Sequence, residues 1–144
     1  MNTHVVRVLL ADDSEAVRTG IKRLLGKVDD IEVIGEARDG AEALRLADEL
    51  QPDVLLLDIE MPVMNGMEVM RRLKALSSGI PILVLSAYAS RGYIREMLIS
   101  GVSGYLIKDE APKRLVEAVR GVASGKTGWI SSQVEEILKN RPGD

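Results

Sequence analysis

Short apolar runs alternate with longer segments of helical period along this chain. The first run is Val5 to Ala11, and a stripe follows at Val17, Ile21, Leu24, Leu25 and Val28. Those spacings put five side chains on one helical face, with Ser14 ahead of them as a candidate N-cap. The second run, Ile31 to Ala37, is broken by Glu32, Gly35 and Glu36, as suits an edge strand with one wetter face. Asp39-Gly40 reads as a turn, Ala43, Leu44, Ala47 and Leu50 as the next helical stripe, and Pro52 as its stop.

The third run, Val54-Leu55-Leu56-Leu57-Asp58, is apolar until its last residue. A loop with Pro62 and Asn65-Gly66 leads to a helix with Val69, Met70, Leu73 and Leu76 inside. The fourth run is Ile80 to Ser86, with Pro81 near its start, where a missing N–H is tolerated. Ile94, Met97 and Leu98 mark a fourth helix, Tyr105-Leu106-Ile107 a fifth strand, and Leu115, Val116, Val119 and Val122 a fifth helix. After Gly125 comes a looser tail with Trp129-Ile130-Ser131, then a short helical stretch from about Gln133 to Asn140. Five strand–helix repeats in chain order predict an α/β fold with a parallel sheet covered on both faces. Right-handed crossovers then favour a doubly wound, five-stranded sheet of order 2-1-3-4-5.

Composition narrows the function. With 144 residues, one domain is expected. The formal net charge of −3 supplies no basic field for DNA, and aromatics at 3% are too few for stacking on single-stranded nucleic acid. Cysteine is absent, which excludes disulfides, thiolate metal sites and a cysteine nucleophile, and fits a reducing cytoplasm. No basic segment precedes a signal-type apolar stretch, and no apolar run approaches ~18 residues, so neither secretion nor a membrane span is expected.

In open parallel sheets, sites form beyond the carboxyl ends of the strands at the switch in strand order. Here the first strand ends at Asp12-Asp13, the third at Asp58 and the fourth at Ser86, while Lys108 follows the fifth. Three carboxylates, a hydroxyl and an ammonium are therefore expected along one edge. Clustered carboxylates repel one another, and a hard divalent cation such as Mg²⁺ relieves that cost. Asp58 is then placed to act as a nucleophile toward a phosphoryl group whose charge Mg²⁺ and Lys108 match. Taken singly, Asp12-Asp13 reads as a turn or cap, Ser86 as a strand end and Lys108 as a solvated residue. Their placement at the ends of four strands is what favours a site.

These motifs resemble the receiver domains of two-component response regulators. Leu9-Leu10-Ala11-Asp12-Asp13 looks like the family's acidic pair, and Leu56-Leu57-Asp58-Ile59-Glu60-Met61-Pro62 with Asn65-Gly66 like its phosphoacceptor segment. Leu83-Val84-Leu85-Ser86-Ala87 resembles the hydroxyl segment and Gly104-Tyr105-Leu106-Ile107-Lys108 the lysine segment. The resemblance covers about residues 5–124. It implies a flavodoxin-like (βα)5 receiver fold and a phosphoacceptor switch, not an enzyme, in which Asp58 takes a phosphoryl group from a sensor histidine kinase. It further implies Mg²⁺ held by Asp13 and Asp58, by Asp12 through water and by the Glu60 backbone carbonyl. Ser86, Ala87, Lys108 and Tyr105 are then phosphate-binding and switch residues, and Glu60 and Tyr88 tune the lifetime of the phosphate. Possible outcomes of phosphorylation include a homodimer, through the first and last helices or the surface from the fourth helix to the fifth strand.

Gly101-Val102-Ser103-Gly104 onward, the segment Leu115 to Gly125, and Trp129-Ile130-Ser131 look like the NarL/FixJ subfamily, which normally continues into a helix-turn-helix DNA-binding domain. That implies residues 1–126 as receiver and 127–144 as a partly helical linker toward a DNA-binding domain this chain does not contain, with transcription as the output and a cytoplasmic, membrane-free setting. Three other readings compete. Asp58-Ile59-Glu60 superficially resembles the Asp-x-Asp motif of haloacid-dehalogenase-type phosphohydrolases, but the second acid stands as Glu60 before Met61-Pro62. A nucleotide-binding domain would need a Gly-rich loop where Asp12-Asp13 stands. A pure interaction module is disfavoured by the complete acidic set. His4, the sole histidine, reads as a tail residue.

Overall fold

The structure is a computed structural model that describes residues 4–61, 63–76, 78–87, 90–130 and 132–139. Its elements in chain order are β1 (Val6–Ala11), α1 (Glu15–Leu25), β2 (Ile31–Ala37), α2 (Gly40–Leu50), β3 (Val54–Asp58), α3 (Gly66–Ala75), β4 (Ile82–Ser86), α4 (Arg91–Ile99), β5 (Gly104–Ile107), α5 (Ala111–Ala123), β6 (Trp129–Ile130) and α6 (Ser132–Lys139). A 3-10 turn, Lys108–Glu110, joins β5 to α5. The strands form one parallel sheet of order β2-β1-β3-β4-β5-β6.

The alternation of side chains along each strand divides the core into two layers. Val8 and Leu10 of β1 face one way, onto Ile21 and Leu25 of α1 and Leu115, Ala118 and Val122 of α5. Leu9 and Ala11 face the other, onto Ala43 and Ala47 of α2, Met70 and Leu73 of α3, and Ile94 and Met97 of α4. Every residue of β3 and β4 is buried, which explains why their sequences run continuously apolar instead of alternating. β2 is the edge strand its mixed composition predicted, and its register on β1 shifts between Val8 and Leu9.

Four helices start from side-chain caps just beyond the strand ends. Ser14, Asp39, Asn65 and Ser90 accept hydrogen bonds from the backbone N–H groups of Val17, Glu42, Glu68 and Tyr93. Each such cap contributes ~1 kcal/mol and fixes where its helix leaves the rim of the sheet. Asp39-Gly40 is therefore a helix start rather than a free turn. Gly66 opens α3 because a Cβ there would come within 2.5 Å of Ile59 Cα and 2.9 Å of the Asp58 carbonyl oxygen. The glycine lets α3 pack directly against the loop that follows Asp58.

The structure departs from the sequence expectation at several places: Val28 lies past the end of α1, and Leu76, expected inside the third helix, caps α3 and is 70% exposed. β4 begins at Ile82, after Pro81, whose carbonyl still accepts from Leu55 N. The sheet has six strands, because Trp129–Ile130 pairs with β5 in the register Gly104↔Trp129 and Tyr105↔Ile130. The predicted loose tail is thus part of the sheet at Trp129 and Ile130, whereas Ser131 lies outside the described residues. α6 continues the layer: Val134 is fully buried in the same core as Ile94, Met97, Tyr105 and Ile107. Trp129 packs against the opposite core, with the Arg114 guanidinium 5.6 Å above its ring centroid.

Candidate functional site

β1 and β3 are neighbours in the sheet, and both run out of apolar sequence at the same edge. The chain then places carboxylates where the hydrogen-bonded ladder ends. Asp12 is 1% exposed and Asp58 3% exposed, whereas Asp13 is exposed to solvent. One carboxylate oxygen from each of these three residues lies within 4.8 Å of the others. The expected acidic cluster is therefore assembled by the fold.

Lys108, carried just past the end of β5, reaches into this cluster. Its Nζ lies 3.0 Å from Asp12 Oδ2 and 3.5 Å from Asp58 Oδ2. Asp58 Oδ1 accepts from the Glu60 backbone N–H at 3.1 Å. Burial raises the Asp58 pKa, from 3.8 to about 6; the Glu60 amide and Lys108 pull it down, and Asp12 and Glu60 push it up. One lysine is thus too little positive charge for this pocket. Burial also opposes the charge on Lys108, but its bonds and proximity to Asp12 and Asp58 outweigh that and raise its pKa.

Ser86, wholly buried at the end of β4, donates from Oγ to Glu60 Oε1 at 3.4 Å. The Glu60 side chain is exposed and stands over the same edge. Ala87 follows Ser86 and is exposed. Tyr105 is wholly buried, with its ring turned inward and its phenol in hydrogen-bonding reach of Ser86. Burial raises its pKa, and Ser86 opposes the shift. Tyr88 and Pro62 lie outside the described residues. His4 precedes β1, at the end of that strand opposite to the site, and is exposed, with Nε2 3.5 Å from Asp53 Oδ2.

Two residues of this neighbourhood were not singled out from the sequence. Arg18 is buried on the inner face of α1, and its Nη1 donates to the Asp12 carbonyl oxygen at 2.7 Å. Its Nε donates to Glu36 Oε1 at 3.1 Å. The available signal was a position three residues before Ile21 and seven before Leu25, which puts a charged residue inside an apolar stripe.

The arrangement is a cluster of carboxylate oxygens that could hold a metal ion, beside a lysine ammonium, on a doubly wound parallel sheet. The family model for the response regulator receiver domain matches residues 8–120. The chain belongs to that family. It is 38% identical over 125 residues to the nitrate/nitrite response regulator protein NarL of Escherichia coli strain K12, covering 87% of this chain and 58% of that protein. It is 37% identical over 125 residues to the transcriptional regulatory protein DegU of Brevibacillus brevis, covering 87% of this chain and 53% of that protein. The signal receiver domain of the putative response regulator NarL from Mycobacterium tuberculosis superposes with a TM-score of 0.82 at 36% identity, covering 85% of this chain and 99% of that one. The chain thus spans a little over half the length of the two curated relatives, and its relatives are response regulators of NarL/LuxR type.

Proposed function

We propose that this chain is the phosphorylation-controlled switch of a two-component transcriptional regulator, with Asp58 as the phosphoacceptor. The observation that carries the reading is a buried Asp58 carboxylate flanked by Asp12, Asp13 and Lys108 at the end of a parallel strand. The donor set fits Mg²⁺: oxygen ligands only, on carboxylates whose mutual repulsion a hard dication relieves. The side chains of Asp12, Asp13 and Asp58 with the Glu60 backbone carbonyl would hold it, Asp12 through water. When bound, Mg²⁺ supplies positive charge for the oxygens of an incoming phosphoryl group.

In the transfer, an Asp58 oxygen attacks the phosphorus of a phosphohistidine on a sensor kinase. The P–N bond breaks, its electron pair stays on the imidazole nitrogen, and Asp58 becomes an aspartyl phosphate. Lys108 balances the phosphoryl charge from the β5 side. Ser86 turns its hydroxyl to the phosphoryl group, which releases its bond to Glu60, while Tyr105 occupies the inward position beneath it. The Ala87 methyl leaves room at the phosphoryl oxygens, and Glu60 and Tyr88 govern how readily water reaches the acyl phosphate. The chain turns over once per phosphoryl group and is a switch, not a hydrolase.

Residues 1–126 are assigned as the receiver proper and 127–144 as a segment that first packs onto it through β6 and α6 and then leads toward a DNA-binding domain, so DNA is a partner only through that domain. No helix among the described residues is long and apolar enough to cross a membrane. A kinase-coupled switch of this kind works in the cytoplasm. The kinase docks beside Asp58 against α1. A second phosphorylated copy uses the same side once the kinase has left: an apolar groove there is lined by Val17, Ile21, Leu24, Ala111 and Pro112. The alternative face, along α4 and β5, is covered by α6.

The test is intact-mass spectrometry after incubation with acetyl phosphate and Mg²⁺, with EDTA and Asp58→Asn controls. One phosphoryl adduct requiring both Mg²⁺ and Asp58 is expected. Steady donor turnover without an adduct would favour a hydrolase instead.

A further inference from the structure

The Asp12–Asp13 peptide bond joins two of the three carboxylates of the candidate cation site, and its carbonyl oxygen has a specific partner. Arg18 Nη1 donates to it at 2.7 Å from a side chain only 9% exposed. The other side of the guanidinium is held by Glu36 on β2, with Nε to Oε1 at 3.1 Å. Glu36 is anchored in turn by Lys22 Nζ at 2.9 Å from Oε2. Two further bonds complete the frame: Asp12 N donates to the Ala37 carbonyl at 3.0 Å, and Ser14 N donates to Asp12 Oδ1 at 2.9 Å.

A buried arginine in this position carries an electrostatic cost. Its charge lies one peptide group from a site that must take up a dication, so by Coulomb's law alone it weakens cation binding. Nothing about packing α1 on the sheet requires a guanidinium, because Ile21 and Leu25 already supply the apolar contact. What the guanidinium adds is direction. A planar fork with two bonds at fixed angles sets the plane of the Asp12–Asp13 peptide, and with it the separation of the two carboxylates. Glu36 cancels the charge that this device introduces. Lys22 first, then Arg18, hold its carboxyl below the usual glutamate range against the opposing push of burial.

We propose that Arg18 and Glu36 are positioning residues for Mg²⁺: a relay from the edge strand β2 that orients the Asp12–Asp13 peptide for cation binding. The inference rests on the phosphoacceptor reading above and adds to it the residues that preset the acidic pair. Partners behind metal ligands commonly account for ~10–100-fold in metal affinity.

Mg²⁺ is titrated calorimetrically into wild type, Arg18→Met and Glu36→Gln, and the rate of adduct formation is measured at limiting and saturating Mg²⁺. Both variants are expected to bind Mg²⁺ about tenfold more weakly. Their adduct rate at saturating Mg²⁺ should stay within about twofold of wild type, because the reacting groups are untouched. The Arg18→Met result is the more discriminating. A purely electrostatic role predicts tighter Mg²⁺ binding once the positive charge is gone, whereas orientation predicts weaker binding. Unchanged or tighter binding in Arg18→Met, or a saturated rate that falls as steeply as affinity, would overturn the proposal. If Arg18→Met does not fold, Glu36→Gln carries the test, and wild-type affinity in that variant overturns it. A wild type that neither binds Mg²⁺ nor forms an adduct sinks the phosphoacceptor reading itself, and the relay with it.

Discussion

The two sides of the acidic edge are built differently. On the β1–β2 side, Asp12 is held by short bonds: Arg18 to its carbonyl at 2.7 Å, Ser14 N to its carboxylate at 2.9 Å, and its own N–H to Ala37 at 3.0 Å. On the β3–β4–β5 side the backbone link is ordinary, Glu60 N to Asp58 at 3.1 Å, and Lys108 Nζ crosses to Asp12 at 3.0 Å, but the side-chain links within this side are long: Ser86 Oγ to Glu60 at 3.4 Å and Lys108 Nζ to Asp58 at 3.5 Å. Bonds near 2.7–2.9 Å involving charged groups are strong and directional, and those at 3.4–3.5 Å are weak and readily exchanged. The first side is suited to holding a cation in fixed geometry. The second is suited to changing partners, as a two-state element must. Asp58 stands between them, clustered with Asp12 and Asp13 on one side and bonded to Lys108 on the other.

The largest expected effect comes from removing that shared residue. Asp58→Asn should abolish the phosphoryl adduct entirely by intact mass, while leaving the fold intact. The same change should stabilise the metal-free protein at neutral pH. Because the folded-state pKa of Asp58 is raised from 3.8 to about 6, the folded chain holds a proton between those values that the unfolded chain has lost. Stability therefore falls as pH rises through that window and flattens above it. At 1.36 kcal/mol per pH unit, the metal-free wild type should be less stable than Asp58→Asn by ~2–3 kcal/mol at pH 7, a gap that closes toward pH 4. Urea unfolding in EDTA at several pH values reads this, and a gap that does not vary with pH would refute the account.

A smaller effect tests the loose side alone. Lys108→Met removes the ammonium that competes with a cation for Asp12 and Asp58. Mg²⁺ should then bind about fivefold more tightly, roughly 1 kcal/mol, even as adduct formation slows. Weaker Mg²⁺ binding would mean that Lys108 shapes the site rather than competing within it. The smallest effect concerns the loop after Asp58, where Val63 has φ 69° and is 82% exposed. A β-branched residue in the left-handed region pays ~1–2 kcal/mol, and glycine does not. Glycine's extra freedom in the unfolded chain takes back ~0.5–1 kcal/mol, so Val63→Gly should stabilise by ~0.5–1 kcal/mol in urea. A loss of stability would show that the valine is not strained.

Much of this architecture was legible in the sequence, for a physical reason. Fully buried parallel strands must read as unbroken apolar runs, so a polar residue at such a run's end stands out, as Asp58 and Ser86 do. Caps such as Ser14 were readable because a short polar side chain before an apolar stripe has few other uses. Arg18 escaped because the helical stripe was traced through apolar residues, and a buried guanidinium that serves a backbone carbonyl breaks that pattern. Glu36 read as ordinary edge-strand polarity, which it also is. β6 escaped because two residues, Trp129 and Ile130, are too few to show a period, and their pairing with β5 is decided by α5 returning the chain to that edge.

That last strand has a consequence for handling the molecule. β5 is four residues long and wholly buried, and Gly104 leaves no side chain to shield its backbone: a Cβ there would approach the Trp129 carbonyl oxygen to 2.8 Å. β6 covers this strip, and the Val134 side chain seals the core beside it. A receiver trimmed at residue 126 would bare the backbone donors and acceptors of β5 that β6 now pairs, next to the core that Val134 now fills, and an unpaired edge of this kind is a template for sheet-to-sheet association between molecules. The segment that follows the fifth helix is thus also a guard against aggregation.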